Sequence, residues 1–352
     1  MKISVCMMVK NEEALLPFAI ASVQGLADEI IVVDTGSTDN TVDLARRSGC
    51  RVILGGDSHN EAQERNRALN LAQGDWAVIL DADEQVQYVT GLRVAIENTQ
   101  YDALNIQMHY MNGSVPYLKY QLMRVFKIGT HCYRYRVHTI PYPTGDVLVG
   151  ESPQIIEHRP PADRSAAKLE RVLMLCLMDV EENPGDYRPL YYLARQYFYI
   201  GAWQMCLDTV AKLNAATVGY NANDAAEACA FVAECYWNLG DRVNPFGAMR
   251  TSIRMQPYRR EWRGRLAEMQ LASGDAKGAI ETIEEALDLP EPKGGYVNPV
   301  WYGAHVFDVA ARCYWEAGRG QDGLPYAEQA LRLNPTDPRL QENLKFFQAA
   351  EA

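Results

Sequence analysis

The sequence predicts an α/β domain built on a mostly parallel sheet with helices on both faces, followed by an all-α domain of repeated helical hairpins. Three observations point there. Within residues 1–90, short β-rich runs alternate with helix-like segments, as in a parallel sheet covered by crossover helices. The runs are apolar nearly throughout, as strands buried on both faces must be. From residue 163 onward the pattern is helical, and one spacing of small and apolar residues recurs.

Strands are expected at 3–9, 29–34, 51–54 and 76–81, with helices at 12–25, 39–48 and 61–73 between them. Sheets of this kind bind ligands beyond the carboxyl ends of their strands. Three of the four runs end in polar clusters: Lys10-Asn11-Glu12, Asp34-Thr35-Gly36-Ser37 and Asp81-Ala82-Asp83. These clusters should share one edge and face one pocket. Tyr-rich, β-like pieces near 103–110, 117–127 and 133–141 would complete the domain. Pro160 and Pro161 stop extended structure, which divides the chain into a domain at 1–160 and a helical one at 161–352.

Composition sets the outer limits. The chain has 352 residues, room for two domains, and 48% are hydrophobic, enough for a substantial core. A formal net charge of -11 argues against a broadly basic nucleic-acid binder. Eight cysteines include no Cys-x-x-Cys pair and sit mostly in apolar surroundings, which reads as buried free thiols in a reducing cytosol. The N-terminal apolar run is too short for a signal peptide, and no stretch reaches the ~20 apolar residues of a membrane span. A cytoplasmic protein with no membrane partner is expected.

The strand ends carry the chemistry. Alternate side chains of an extended strand share a face, so Asp81 and Asp83 can converge on one point. Such oxygen ligands suit Mn²⁺ or Mg²⁺. The plainer alternative is a surface turn with an Asx cap. In "DTGSTDNT", residues 34–41, Gly36 permits a sharp turn, and Ser37, Thr38 and Asp39 can cap the next helix. Asp34 could additionally accept a hydrogen bond from the N–H of a base such as uracil. Arg65, followed by Asn66, could reach a phosphate or hold a strand-end carboxylate; otherwise this is a solvated helix face with Glu64 and Arg67 as partners.

The helical half shows four segments with one spacing, beginning at Ala194, Ala233, Ala267 and Ala311. They resemble the tetratricopeptide repeat, in which small residues let paired helices approach. Residues 338–350 are expected to cap the solenoid, because an end repeat must cover its exposed apolar face. The repeat domain is also a candidate homodimer contact. Tyr191, Tyr192, Trp237 and Trp301 could hold a protein or peptide acceptor on a concave face, or be buried in the domain's own core.

The segments "ISVCMMVKNEEALLPFAIASVQGLADEIIVVDTGSTDNTVDLA" and "RNRALNLAQGDWAVILDADE" together resemble the nucleotide-sugar domain of family 2 glycosyltransferases, with the GT-A fold. The join to tetratricopeptide-like repeats resembles a bacterial branch that includes enzymes glycosylating bacteriocin peptides on cysteine. The resemblance implies a hexosyltransferase type of enzyme that uses a UDP-sugar and a divalent cation. By it, Asp34 would bind the base, with Lys10, Asn11, Glu12, Ser37 and Asp39 lining the nucleotide pocket. Arg65 and Asn66 would lie near the nucleotide. Asp81 would contact ribose or metal, Asp83 the metal, and His158 of "IIEHRPP" the metal or pyrophosphate. "RVFK" at 124–127 and "YRVHT" at 135–139 match a further family pattern that usually ends in Glu, where this chain has Thr139. With that Glu missing, the candidate general bases for an inverting displacement are His138, Asp146, Glu151 and Glu157, with His138 preferred because its neighbours still match the pattern.

Between Asp102 and Asp146 there is no acidic residue, whereas Lys119, Arg124, Lys127, Arg134 and Arg136 are interleaved with tyrosines. Arg124, Arg134 and Arg136 are therefore candidate acceptor contacts, and modified bases in DNA are one candidate acceptor. The plainer alternative is that these charges balance the donor's phosphates. Peptide, nucleic acid and glycan acceptors all stay open. So does a non-catalytic repeat scaffold with a vestigial transferase domain.

Overall fold

A β-branched and sulfur-rich run, ISVCMMV, forms the central strand β1 (Ile3–Val9). It pairs in parallel with β2 (Glu29–Asp34) on one side and β4 (Trp76–Ile79) on the other, and β2 pairs in parallel with β3 (Arg51–Leu54). The computed structural model describes residues 1–56, 59–160, 166–216, 218–292 and 298–349. Helices α1 (Leu16–Ser22), α2 (Thr41–Arg47) and α3 (Glu61–Leu71) make the crossovers. Strand alternation sends Ile3, Val5, Met7 and Val9 to one face, against α1 and α4 (Val89–Asn98). Cys6, Ile31, Val33, Ala77 and Ile79 go to the other, against α3.

The eight-stranded sheet has the order β3-β2-β1-β4-β7-β6-β10-β5. Its second half comprises β5 (Glu84–Val86), β6 (Ala103–Asn112), β7 (Val115–Lys127) and β10 (Val149–His158). Strand β7 runs antiparallel to β4 and β6, while β10 runs parallel to β6 and antiparallel to β5. Three elements differ from expectation. β4 ends at Ile79, so Asp81 and Asp83 sit in the turn into β5 rather than on a strand. Strand β10 has no clean alternation in sequence, because Pro153 falls inside it and its register shifts between Ser152 and Ile155. The piece expected at 133–141 is not one strand: β8 (His131–Tyr133) and β9 (Pro141–Pro143) pair across a loop. In that loop Tyr135 and His138 have φ of 72° and 53°, which no strand accommodates.

The chain divides into two compact units, the first spanning Met1–Glu182 and the second beginning at Asn183. Helix α5 (Ala166–Glu182) follows the Pro160-Pro161 break but groups with the sheet. Strand β10 ends at His158, whereas the contacts of the first unit continue to Glu182.

In the second unit, α6 (Tyr187–Tyr199) pairs with α7 (Trp203–Leu213), α8 (Ala222–Asn238) with α9 (Asn244–Met255), α10 (Arg260–Ala272) with α11 (Ala276–Leu287), and α12 (Ala304–Glu316) with α13 (Gly320–Leu333). Helix α14 (Pro338–Ala349) packs on α13. Ala194, Ala233, Ala267 and Ala311 are all buried at these crossings. The inner turns place Gly201, Gly240, Gly274 and Gly318 at φ between 72° and 87°, a region in which a side chain is strained. Tyr191 and Trp301 belong to the core, and Tyr192 and Trp237 are half-buried. Among the described residues, no helix is long and apolar enough to cross a membrane.

Candidate active site

Parallel pairing of β2, β1 and β4 brings their three polar ends to one edge of the sheet. The loops after β1 and β2 are stitched together. Thr35 donates its N–H to the Val9 carbonyl at 2.9 Å. The Asn11 N–H donates to Ser37 Oγ at 2.8 Å, and Asn11 Oδ1 accepts from the Thr38 N–H at 2.7 Å. Asp39 accepts from the N–H groups of Glu13 and Thr41 at 3.1 and 3.0 Å. Asn11, Ser37 and Asp39, expected to line a nucleotide pocket, thus hold the two loops against each other. Lys10 is exposed at the end of β1.

Asp34 is buried at 3% exposure. Its Oδ2 accepts from the N–H groups of Gly36 and Ser37 at 3.1 and 3.0 Å, a turn that Gly36 makes at φ 98°. Its Oδ1 is buried with no hydrogen-bond partner in the structure. A buried acceptor of this kind calls for a donor from a ligand or water.

The two carboxylates of the Asp81-Ala82-Asp83 turn have separate partners. Asp81 Oδ1 accepts from Arg65 Nη2 at 2.7 Å, and Oδ2 from Arg124 Nη2 at 3.2 Å. Burial opposes its ionisation, but the two guanidinium groups outweigh burial and hold Asp81 well below the usual carboxylate range. Arg124 also pairs with Glu84, whose other oxygen accepts the Asp81 N–H at 2.9 Å. Burial raises the Glu84 pKa, Arg124 pulls it back and Asp81 raises it again, leaving it at about 7. Arg65 also lies over the Tyr133 ring, 5.6 Å from its centroid.

Asp83 Oδ2 meets His158 Nε2 at 2.8 Å. Burial disfavours the imidazolium, but Asp83 stabilises it, and the His158 pKa is raised. The Tyr110 ring packs edge-on against His158, with centroids 4.0 Å apart. Asp83 and His158 supply one hard oxygen and one imidazole nitrogen at a strand-end corner, a donor pair better suited to Mn²⁺ than to Mg²⁺. Among the described residues, no group of three or more His, Cys, Asp or Glu is arranged to hold a metal. Asp81, expected as a third ligand, is instead engaged by two arginines.

The Asn66 side chain clamps the backbone of Tyr133, accepting the N–H at 2.7 Å and donating to the carbonyl at 2.9 Å. Several cations of the basic stretch are paired in place. Arg124 is buried against Glu84 and Asp81, Lys127 pairs with Asp102 at 2.8 Å, and Arg136 pairs with Glu182. Arg134 is exposed and lies over the Tyr142 ring at 4.9 Å. His138 is half-buried in the loop between β8 and β9. Burial, and then Asp83, push Glu12, expected at the nucleotide pocket, up to about 7, against the pull of Lys168. Burial likewise raises Glu61, at the start of α3, against the pull of Arg65 and Arg171. Glu61 carries no signal in the sequence and is revealed only by its tertiary neighbours.

The Asp81 pairing has a pH signature. A carboxyl whose folded pKa is depressed contributes stability above its unfolded value near ~3.9, and that contribution is lost as pH falls through the folded pKa. Urea midpoints measured from pH 5 down to pH 2 are expected to fall more steeply in the native protein than in Asp81→Asn, which lacks the titrating carboxyl.

Comparison with known proteins agrees with this architecture. Residues 4–145 match the model of Glycosyl transferase family 2. A TPR repeat-containing protein of Synechococcus elongatus is 36% identical over 129 residues, 36% of this chain and 32% of that one. An uncharacterized glycosyltransferase of Rickettsia typhi is 41% identical over 85 residues, 24% of this chain and 29% of that one. The chain thus spans about a third of the length of these curated relatives. A thermophilic TPR protein of Thermus thermophilus superposes at a TM-score of 0.36 with 20% identity, covering 52% of this chain and 92% of that one. Residues 4–145 are thus similar to glycosyl transferase family 2, and the helical hairpins of the second unit follow them in the chain.

Proposed function

We propose that the N-terminal domain transfers a sugar from a nucleoside-diphosphate donor, a UDP-sugar, to an acceptor nucleophile with inversion at the anomeric carbon. The observation that supports it most is Asp34 Oδ1, a buried and unpartnered acceptor on the same sheet edge as the carboxylate turn of residues 81–84. The imide N–H of uracil is a donor of the kind it lacks. Asp81, kept ionised by Arg65 and Arg124, has lone pairs left to accept from ribose hydroxyls. Asp83 and His158 are the residues that would hold a divalent cation, Mn²⁺ or Mg²⁺. When bound, the cation supplies charge neutralisation for the departing diphosphate. Direct displacement requires a base on the acceptor. His138 is our assignment, supported by its left-handed backbone at φ 53°, next to that of Tyr135.

The test is calorimetric titration of the protein with UDP and GDP, with and without MnCl₂, followed by a screen of UDP- and GDP-sugars for hydrolysis. Metal-enhanced UDP binding and release of one free sugar are expected. Failure to bind either nucleotide under any condition would sink the reading, and a vestigial scaffold would give that result.

A further inference from the structure

We propose that Lys168 and Arg171, one turn apart on α5, are diphosphate-binding residues of the donor site, a role that rests on the nucleotide-sugar reading above.

Helix α5 is held to the sheet unit along one stripe. Leu175, Cys176 and Asp179 are buried. Asp179 accepts from the Arg136 N–H at 2.9 and 3.0 Å, and Glu182 pairs with the Arg136 guanidinium. The same loop anchors α3, since the N–H groups of Glu61 and Ala62 donate to the carbonyls of Arg136 and Tyr135 at 2.9 and 3.3 Å. The register of α5 relative to the start of α3 is thereby fixed. Positions 168, 171, 175, 179 and 182 fall on one side of an α-helix at 100° per residue. The stripe runs about 16 Å from Asp179 back to Lys168. Along it, Arg171 comes into electrostatic range of Glu61, and Lys168 of Glu12, the residue that follows the end of β1. Both α5 cations are exposed. Glu12 and Glu61 are in turn each within electrostatic range of Asp81.

Charge gives the reason for such residues. The edge is crowded with carboxylates: Glu12, Glu61, Asp81, Asp83 and Glu84. Its two buried guanidinium groups, Arg65 and Arg124, are engaged with Asp81 and Glu84. Those pairings involve Asp81 and Glu84 alone, so a diphosphate brought to this edge also meets the carboxylates of Glu12, Glu61 and Asp83. The cations of α5 supply positive charge from outside the cluster, and charge-assisted hydrogen bonds to phosphate oxygens are among the stronger kind. Glu12 and Glu61 then act as placeholders that keep the two long side chains aimed at the edge before the donor arrives.

The experiment titrates full-length protein with UDP, UMP and uridine, in EDTA and in MnCl₂, comparing native chain, K168Q/R171Q and K168R/R171K. The K168Q/R171Q variant is expected to bind UDP about 10- to 100-fold more weakly in both conditions, with uridine binding within about twofold of native. The K168R/R171K variant should keep most of the UDP affinity, and thermal midpoints should be unchanged because both side chains are exposed. If guanine is the base recognised, GDP, GMP and guanosine serve as the series. Equal UDP affinity in native and K168Q/R171Q protein overturns the inference while leaving the donor reading intact. So does an equal loss for UDP and uridine, which marks a structural role. A native protein that binds neither UDP nor GDP overturns both.

Discussion

Replacing Arg124 with Met is expected to destabilise the N-terminal domain by about 3–5 kcal/mol, the cost of leaving a buried charge without its partner. Arg124 is 7% exposed and Glu84 fully buried, so water cannot take over the lost contacts. One guanidinium nitrogen serves both Asp81 and Glu84, and its removal puts two carboxylates side by side with Arg65 as their remaining cation. Glu84→Gln in the same chain removes the worst of that repulsion, since the neutral amide can still accept the Asp81 N–H. Urea unfolding of the two single variants and the double should therefore show strong coupling, with the double less destabilised than the sum of the singles. Additive losses would mean that Arg124 contributes packing alone. The cycle also tests Arg124 as an acceptor contact, because an acceptor-contacting arginine on an open surface would show little effect on stability.

Asp83→Ala is expected to abolish metal-dependent UDP binding and to lower donor hydrolysis by at least about 10²–10³-fold. The fold should survive, because the Asp83 side chain is partly exposed and pairs with His158. A readout separate from turnover is available. In native protein, MnCl₂ should tighten UDP binding, and in Asp83→Ala the two titrations should superimpose. His158→Ala is expected to follow the same pattern more weakly, since imidazole is the softer of the two donors. Mn²⁺-dependent turnover that persists undiminished in Asp83→Ala would remove the metal assignment. It would leave the diphosphate to the cations of the protein alone.

Much of the fold is legible in the sequence. The alternation of apolar β-runs with helical segments gave β1 to β4 to within two residues, because strands buried on both faces leave a continuous apolar signal. Parallel order then put Asp34 and the Asp81–Asp83 turn on one edge without any knowledge of contacts. The alanines of the helical repeats were equally readable, because close helix crossings tolerate only small side chains and recur at a fixed spacing.

What stayed hidden depended on residues far apart in the chain. Strand β10 brings His158 beside Asp83, and β7 brings Arg124 beneath Glu84, over separations of 75 and 40 residues. Asn66 reads in sequence as a ligand contact, yet it holds the backbone of Tyr133, 67 residues away. The sequence by itself determined which strands lie parallel and which carboxylates reach their common edge, because strand direction and side-chain alternation are local properties of the backbone. Only the tertiary structure decided which carboxylate is held by arginines and which faces a histidine, because a charge in a low-dielectric site is governed by its nearest neighbours in space.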